Sequence, residues 1–191
     1  MAKKIGFKSY CWAIGTTSYR TDNFNLSIEE QLHLLRQFRE LEAYKNELKR
    51  LQDLDKITVD YVTLGEMQPE RDHNFRGEGI GNGVSHRKKW RAAWIGGWFE
   101  FDMKVLPDVP QDLHVTYWGG ETAHLEFDIY VDGKVLARQH LYQNKPNQFF
   151  EGVYSLPEHF WKGKEKITIR FKGVPGNWTG AIYNARIAKH E

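Results

Sequence analysis

The sequence predicts a mostly β protein, an antiparallel β-sandwich of jelly-roll type preceded by one long α-helix. Three observations predict it. From Lys56 onward, apolar residues recur at every second position in about eight short runs, with turn residues roughly every ten positions. No run is followed by a helical pattern as in a βαβ unit. Upstream, Ser27 to Asp55 holds neither Gly nor Pro, and its apolar residues recur at spacings of three and four.

Composition fits that class. The 191 residues suffice for one ordinary domain, or one domain with an appendage. Aromatics make up 14% of the chain, with seven Trp and eleven Phe, which favours a β-rich core. Lys and Arg number 27 against 25 Asp and Glu, a balance too even for nucleic acid or an anionic membrane surface. Cys11 is the only cysteine, so an intramolecular disulfide and a cysteine zinc cluster are excluded. No apolar run reaches the roughly 18–20 residues of a membrane span. The N-terminus lacks the apolar stretch of a secretory signal. A complete chain would then be cytoplasmic, whereas a piece of a longer one could be secreted or periplasmic. The oligomeric state is not legible.

The elements follow in order. Residues 1–26 are of uncertain structure: Lys4 to Ile14 reads as a short strand and Gly15-Thr16-Thr17-Ser18 as a turn. Thr16-Thr17-Ser18-Tyr19-Arg20 with Asn23-Phe24-Asn25 faintly resembles the opening of some type II restriction-endonuclease-like proteins. Residues 27–56 form an amphipathic helix opened by a capping box, Ser27-Ile28-Glu29-Glu30. Its stripe is Leu34, Phe38, Leu41, Tyr44, Leu48 and Leu51, about three heptads long, suited to packing on its own domain or on a partner.

Residues 57–191 form the sandwich domain. Ile57 to Leu64 is its first strand. Gly65 to His73 reads as a loop in which Pro69 holds Gln68 extended, and Arg76 to Lys89 as a polar, Gly-rich connection. Gly97 to Val105 alternates, with Phe99, Phe101, Met103 and Val105 on one face and Trp98, Glu100, Asp102 and Lys104 on the other. Leu113–Trp118 and Leu125–Val131 follow. Asp132-Gly133 then marks a hairpin into Lys134–Leu141. Phe149–Leu156, Lys166–Phe171 and Ala181–Ala188 complete the set.

Several of these motifs carry a resemblance. Gly65-Glu66-x-Gln68-Pro69-Glu70-x-Asp72-His73, Trp90-Arg91, Gly97-Trp98-Phe99, Val115-Thr116-Tyr117-Trp118-Gly119, Phe127-Asp128-Ile129-x-Val131-Asp132-Gly133 and Ile167-Thr168-Ile169-Arg170-Phe171 occur in that order. Together, over Thr58 to Ala188, they resemble the C-terminal β-sandwich (jelly-roll) accessory domain of glycoside hydrolase family 127-type β-L-arabinofuranosidase-like proteins. In such proteins catalysis belongs to a separate helical barrel, for which this chain has no room. The resemblance implies an accessory module whose partners are carbohydrate or the catalytic domain of a glycoside hydrolase.

The residues themselves offer few chemical sets. Glu66, Glu70 and Asp72 beside His73 form an acidic cluster on which a structural cation such as calcium could sit. Otherwise no cofactor is indicated. A glycosidase needs two carboxylates about 5–10 Å apart across a sugar, which sequence proximity does not establish. The plainest role for the cluster is a loop pinned to backbone amides and to Arg91. His86-Arg87-Lys88-Lys89-Trp90-Arg91 reads as a solvated basic loop. The eight His include no zinc-type pairing, and neither a phosphate loop nor a nucleophile elbow occurs. Trp94, Trp98, Trp118, Trp161 and Trp178 could offer flat faces to a sugar, with Gln68, Asp72, Arg91 and Glu121 as polar contacts. Equally, such Trp could fill the core or face a neighbouring domain.

The sequence thus describes a non-catalytic accessory module. The candidate ligand or interface residues are Glu66, Gln68, Glu70, Asp72, His73, Arg91, Trp94, Trp98, Trp118 and Glu121, with no catalytic and no metal-ligating residue. The alternatives are a structural or protein-interaction module, or, furthest from the residues, a nuclease-like or glycosidase enzyme. The purified chain should release no nitrophenol from a nitrophenyl arabinofuranoside. Release that disappears on mutating Glu66, Glu70 or Asp72 would contradict this.

Overall fold

The structure, a computed structural model, describes residues 27–190. The N-terminal strand and turn expected before Ser27, and the residues of the restriction-endonuclease resemblance, lie outside them. The chain divides into two compact units, residues 1–48 and 49–191.

Helix α1 (Ile28–Ile57) starts in the first unit. The capping box forms as read: Glu30 N donates to Ser27 Oγ at 3.2 Å, and Ser27 N donates to Glu30 Oε2 at 2.7 Å. Leu34, Phe38, Leu41, Tyr44, Leu48 and Leu51 are all exposed, and Leu54 is buried.

The second unit is an antiparallel sheet of nine strands folded over into a sandwich. The strands are β1 (Thr58–Thr63), β2 (Arg76–Ser85), β3 (Lys88–Lys104), β4 (Gln111–Trp118), β5 (Leu125–Val131), β6 (Lys134–Leu141), β7 (Phe149–Ser155), β8 (Lys166–Gly173) and β9 (Ile182–Lys189). Short helices α2 (Met67–Asp72) and α3 (Glu158–Trp161) lie between strands. The order is β6-β5-β8-β3-β9-β4-β7, with β1 added on β9 and β2 on β3. Inward residues alternate as expected: Phe99, Phe101 and Met103 of β3, Leu113, Val115 and Tyr117 of β4, and Phe127 and Ile129 of β5 are fully buried. Phe99 and Phe171 stack at 5.2 Å in the middle of this core.

Three expectations are corrected. The segment from Arg76 to Lys89 is not a connection but β2 and a two-residue turn, so the sheet has nine strands. Its glycines hid it, since they carry no apolar side chain to reveal a period. The basic run His86–Arg91 is accordingly that turn and the start of β3 instead of a loop, and it is exposed, as expected, from His86 to Lys89. Finally, Gly65 to His73 contains α2, and Pro69 sits inside its first turn. There a missing N–H is harmless, so Gln68 is helical instead of extended.

The β2–β3 hairpin bends from one layer to the other. Arg76–Glu78 pair with Trp98–Glu100, and Ile80–Ser85 pair with Lys88–Ala93, with the register broken at Gly79. On the far side of the bend β3 pairs with β8 through Trp98–Lys104, and on the near side it meets β9 at Arg91↔Ile182. At the break the backbones of Gly79 and Gly97 are in contact: a Cβ on Gly97 would lie 2.5 Å from the Gly79 carbonyl oxygen and 2.7 Å from that of Glu78. Gly97→Ala should therefore lose about 3 kcal/mol or more, since both obstacles belong to the sheet. Gly133→Ala, at φ +79° in open space, should lose about 1 kcal/mol from backbone conformation alone. Thermal melts of the two variants compare them directly, and equal melting temperatures would contradict this reading of the bend.

Candidate functional site

Of the ten residues singled out, six gather at the corner where β1, α2 and β3 meet. Gly65 (φ +81°) turns the chain hard against Lys89 and Trp90, and α2 then carries Glu70 inward. Glu70 is buried and takes a two-pronged bond from Arg91, Nε to Oε1 and Nη2 to Oε2, both 2.7 Å. The Gly65 amide donates to the same Oε1 at 2.7 Å. The guanidinium also lies 5.0 Å from the Phe75 ring centroid. A buried carboxylate is tolerable here because its partner is planar, bidentate and always charged.

The neighbours are similarly engaged. Glu66 pairs with Lys89 at 2.9 Å, and Gln68 donates to Asp72 at 2.8 Å. His73 places Nδ1 2.6 Å from the Pro69 carbonyl and Nε2 3.3 Å from Asp60. This corner fastens α2 to the hairpin.

The aromatic candidates stand elsewhere, on the hairpin and at the strand ends. Trp98 lies under the Arg170 guanidinium at 4.4 Å, and Arg170 in turn bonds Glu100 at 2.6 Å. Trp161 is buried and donates through Nε1 to the Leu156 carbonyl, a core role. Trp118 stacks with His86, their centroids 3.6 Å apart. Glu121 spends Oε1 on the amides of Thr122 and Ala123.

Trp94 differs from these. It stays 45% exposed, next to Ile95 at 67%, at the outer corner of the β2–β3 bend. Its indole occupies the space that a side chain on Gly81 would fill, with Cζ2 only 2.5 Å from an added Cβ. Trp178, from the β8–β9 connection, packs against it at 5.1 Å and 33°. Two residues on from Gly81, Gly83 leaves the same kind of room for Trp90. Alternate glycines of β2 thus form a floor across which two indoles lie, with a third beside them. Trp90 was not among the sequence candidates. The signal that could have found it is Gly77-x-Gly79-x-Gly81-x-Gly83, a two-residue period carried by glycine opposite a Trp-rich strand.

The charges of the sandwich are mostly spent on one another. On β3, burial pushes the Asp102 carboxyl up, but hydrogen bonds from Asn74, Lys166 and Thr168 more than offset it and leave it below its ordinary value. On β7 the carboxyl of Glu151 is held down at about 2 by the neighbouring His114 and by Arg50, against its partial burial. Arg50 bonds it at 2.9 Å. Burial raises the Tyr154 hydroxyl to about 12. Among the described residues no group of three or more His, Cys, Asp or Glu could hold a metal ion, and no helix is long and apolar enough to cross a membrane. At Asn177-Trp178-Thr179, the Thr179 side chain is fully buried and accepts from the Ala93 amide at 2.9 Å.

Comparison with known proteins places the second unit. Residues 53–188 match the Family of unknown function (DUF6805). The chain belongs to this family. No curated protein matches it. Among solved structures, a family 35 carbohydrate-binding module from Clostridium thermocellum matches with a TM-score of 0.51 at 16% identity, over 69% of this chain and 99% of the module. The CBM36-1 domain of a multidomain xylanase from the hindgut metagenome of Trinervitermes trinervoides gives 0.47 at 12%, over 69% and 97%. An exo-β-1,3-galactanase from Phanerochaete chrysosporium gives 0.47 at 12%, over 60% of this chain and 27% of the galactanase. The first match shows that this DUF6805 domain shares the sandwich fold of carbohydrate-binding modules.

Two outcomes follow from the pairs described. Arg91→Ala strands Glu70 in the interior and should lose about 3–5 kcal/mol, whereas exposed Arg87→Ala should stay within about 0.5 kcal/mol. Denaturant melts giving equal losses would contradict the pinning role of Arg91. Because the Glu151 carboxyl is depressed in the folded state, it adds stability above its ordinary value near 4.5, and that stability is lost as pH falls toward about 2. Glu151→Gln should flatten the acid limb of stability between those values. An unchanged limb would show that the pair adds nothing.

Proposed function

We propose that this DUF6805 sandwich is a non-catalytic carbohydrate-binding accessory module and that the Trp94 corner is its contact face. One observation carries the reading. Trp94 keeps an open indole at the surface, laid across Gly81 and braced by Trp178. Large apolar rings are normally withdrawn from water, and one held open and rigid suits the apolar face of a sugar ring. Rigidity matters because little side-chain freedom remains to be lost on binding. The shared fold supports the reading, and the resemblance to arabinofuranosidase-type accessory domains supports a place beside a glycoside hydrolase catalytic domain. Catalysis by the chain finds no support in the corner around Glu70, since that carboxylate is fully engaged by Arg91 and the Gly65 amide.

A second reading is a protein-interaction module that binds no sugar. The exposed row Leu34, Leu41, Tyr44 and Leu48 on α1 favours it.

Affinity gel electrophoresis against soluble plant and bacterial polysaccharides separates the two. At least one polysaccharide should retard the wild type, and Trp94→Ala should abolish the retardation while leaving the melting temperature within a few degrees. Retardation that survives Trp94→Ala, or none with any polysaccharide, would refute the first reading.

A further inference from the structure

The turn of the β2–β3 hairpin is built against the usual preference. It has two central residues, with Ser85 paired to Lys88. Both central residues have positive φ, 51° at His86 and 64° at Arg87. That geometry selects Asn-Gly or Asp-Gly, because a side chain is strained there. The β5–β6 hairpin obeys the rule with Asp132-Gly133, at φ 48° and 79°. At the β2–β3 tip the strained conformation must therefore be held by contacts.

The contacts are visible. The His86 ring lies on Trp118 at 3.6 Å, nearly parallel at 20°. Ser85 Oγ sits 2.8 Å from His86 Nδ1, and Lys88 Nζ lies over the Phe149 ring at 4.4 Å. Beneath, Phe149 packs edge-on against Trp118 at 5.1 Å and against Tyr183 at 4.8 Å. The Trp118 indole in turn fills the space above Gly120. The indole thus packs against a glycine and carries an exposed imidazole on its face, and the imidazole belongs to a strained turn.

We propose that Trp118, with Phe149, forms a second carbohydrate-stacking subsite, and that His86 covers it in the free protein. A planar ring already occupies the position a pyranose would take on the indole. Ser85, beside His86, and Lys88, over Phe149, flank it as partners for hydroxyl groups. Moving the tip aside exposes the indole and relieves the turn. Affinity at this subsite is reduced by the fraction of molecules in which the tip is open.

This inference rests on the sugar-binding reading but concerns a different indole, so the two can fail separately. The double variant His86→Asn with Arg87→Gly keeps the hairpin, with residues suited to the turn, and removes the cover. His86→Ala removes only the cover and serves if the double variant does not fold. Each is titrated with xylohexaose, cellohexaose, arabinohexaose and a β-galactohexaose, and the indole N–H signals of Trp94 and Trp118 are followed by NMR. Trp94→Phe and Trp118→Phe assign the signals. At least one sugar should shift the Trp118 signal, with an affinity about tenfold tighter in the uncovered variants than in wild type if the tip is open about one tenth of the time. The gain should persist in a Trp94→Ala background. If the Trp94 signal shifts and the Trp118 signal never does, the covered subsite is refuted and the Trp94 face stands. If Trp118 shifts equally in wild type and uncovered variants, the subsite exists but His86 is not its cover, and the proposal as stated fails. If no signal shifts with any sugar, both readings fall.

Discussion

The contact between the backbones of Gly79 and Gly97 is the constraint on which the rest of the sandwich depends. A long hairpin can serve both layers of a sandwich only if it bends, and a bend in paired strands forces the two chains together at its inner side. Here neither chain carries a Cβ at that point in the bend, so they can approach. On one side of the bend β3 presents Phe99, Phe101 and Met103 to the core and runs beside β8. On the other it carries Trp90 and Trp94 outward over the glycines of β2. The surface proposed to meet sugar is thus continuous, through one strand, with the most buried part of the core. That is why its indoles are held rather than floppy.

The hairpin is anchored twice more. Toward its tip, at the start of β3, the Glu70–Arg91 pair ties it to α2 with a bidentate bond in the interior. Such a pair adds little net stability relative to an apolar replacement, but removing one partner is costly, so it acts as a fixed register mark. Beyond the bend, Glu100 and Asp102 sit on the outer face, nearly buried beneath Arg76, Arg170 and Lys166. Their long aliphatic stems cover the sheet while the charges meet each other.

How much of this was legible in the sequence differs by residue type. Strands with branched or aromatic side chains at alternate positions, such as Leu113–Trp118 and Leu125–Val131, announce themselves, and the capping box at Ser27 fixed the start of α1 to a residue. The partnership of Arg91 with a carboxylate of the Glu66–Asp72 cluster followed from donor and acceptor chemistry. What hid was structure written in glycine. In β2 the repeating residue has no side chain, so a strand read as a connection, and with it went the floor under Trp90 and Trp94. The turn at His86-Arg87 hid for the opposite reason, since its residues contradict the turn they form. Of the predicted site, the Glu66–His73 residues and Arg91 came together as a fastening, while Trp94, Trp98 and Trp118 went to three different surroundings. Pairwise contacts of this kind, decided by which strand lies over which, are not encoded in local pattern.

The central claim is that Trp94 offers an open, rigid face to a sugar ring. A crystal structure of the chain soaked with an oligosaccharide from the polysaccharide that retards it tests this most directly. The account predicts a sugar ring stacked on the exposed indole of Trp94, with Trp178 and Gly81 in the places described here. An oligosaccharide bound with Trp94 left bare, or a Trp94 buried by its own chain, would contradict it.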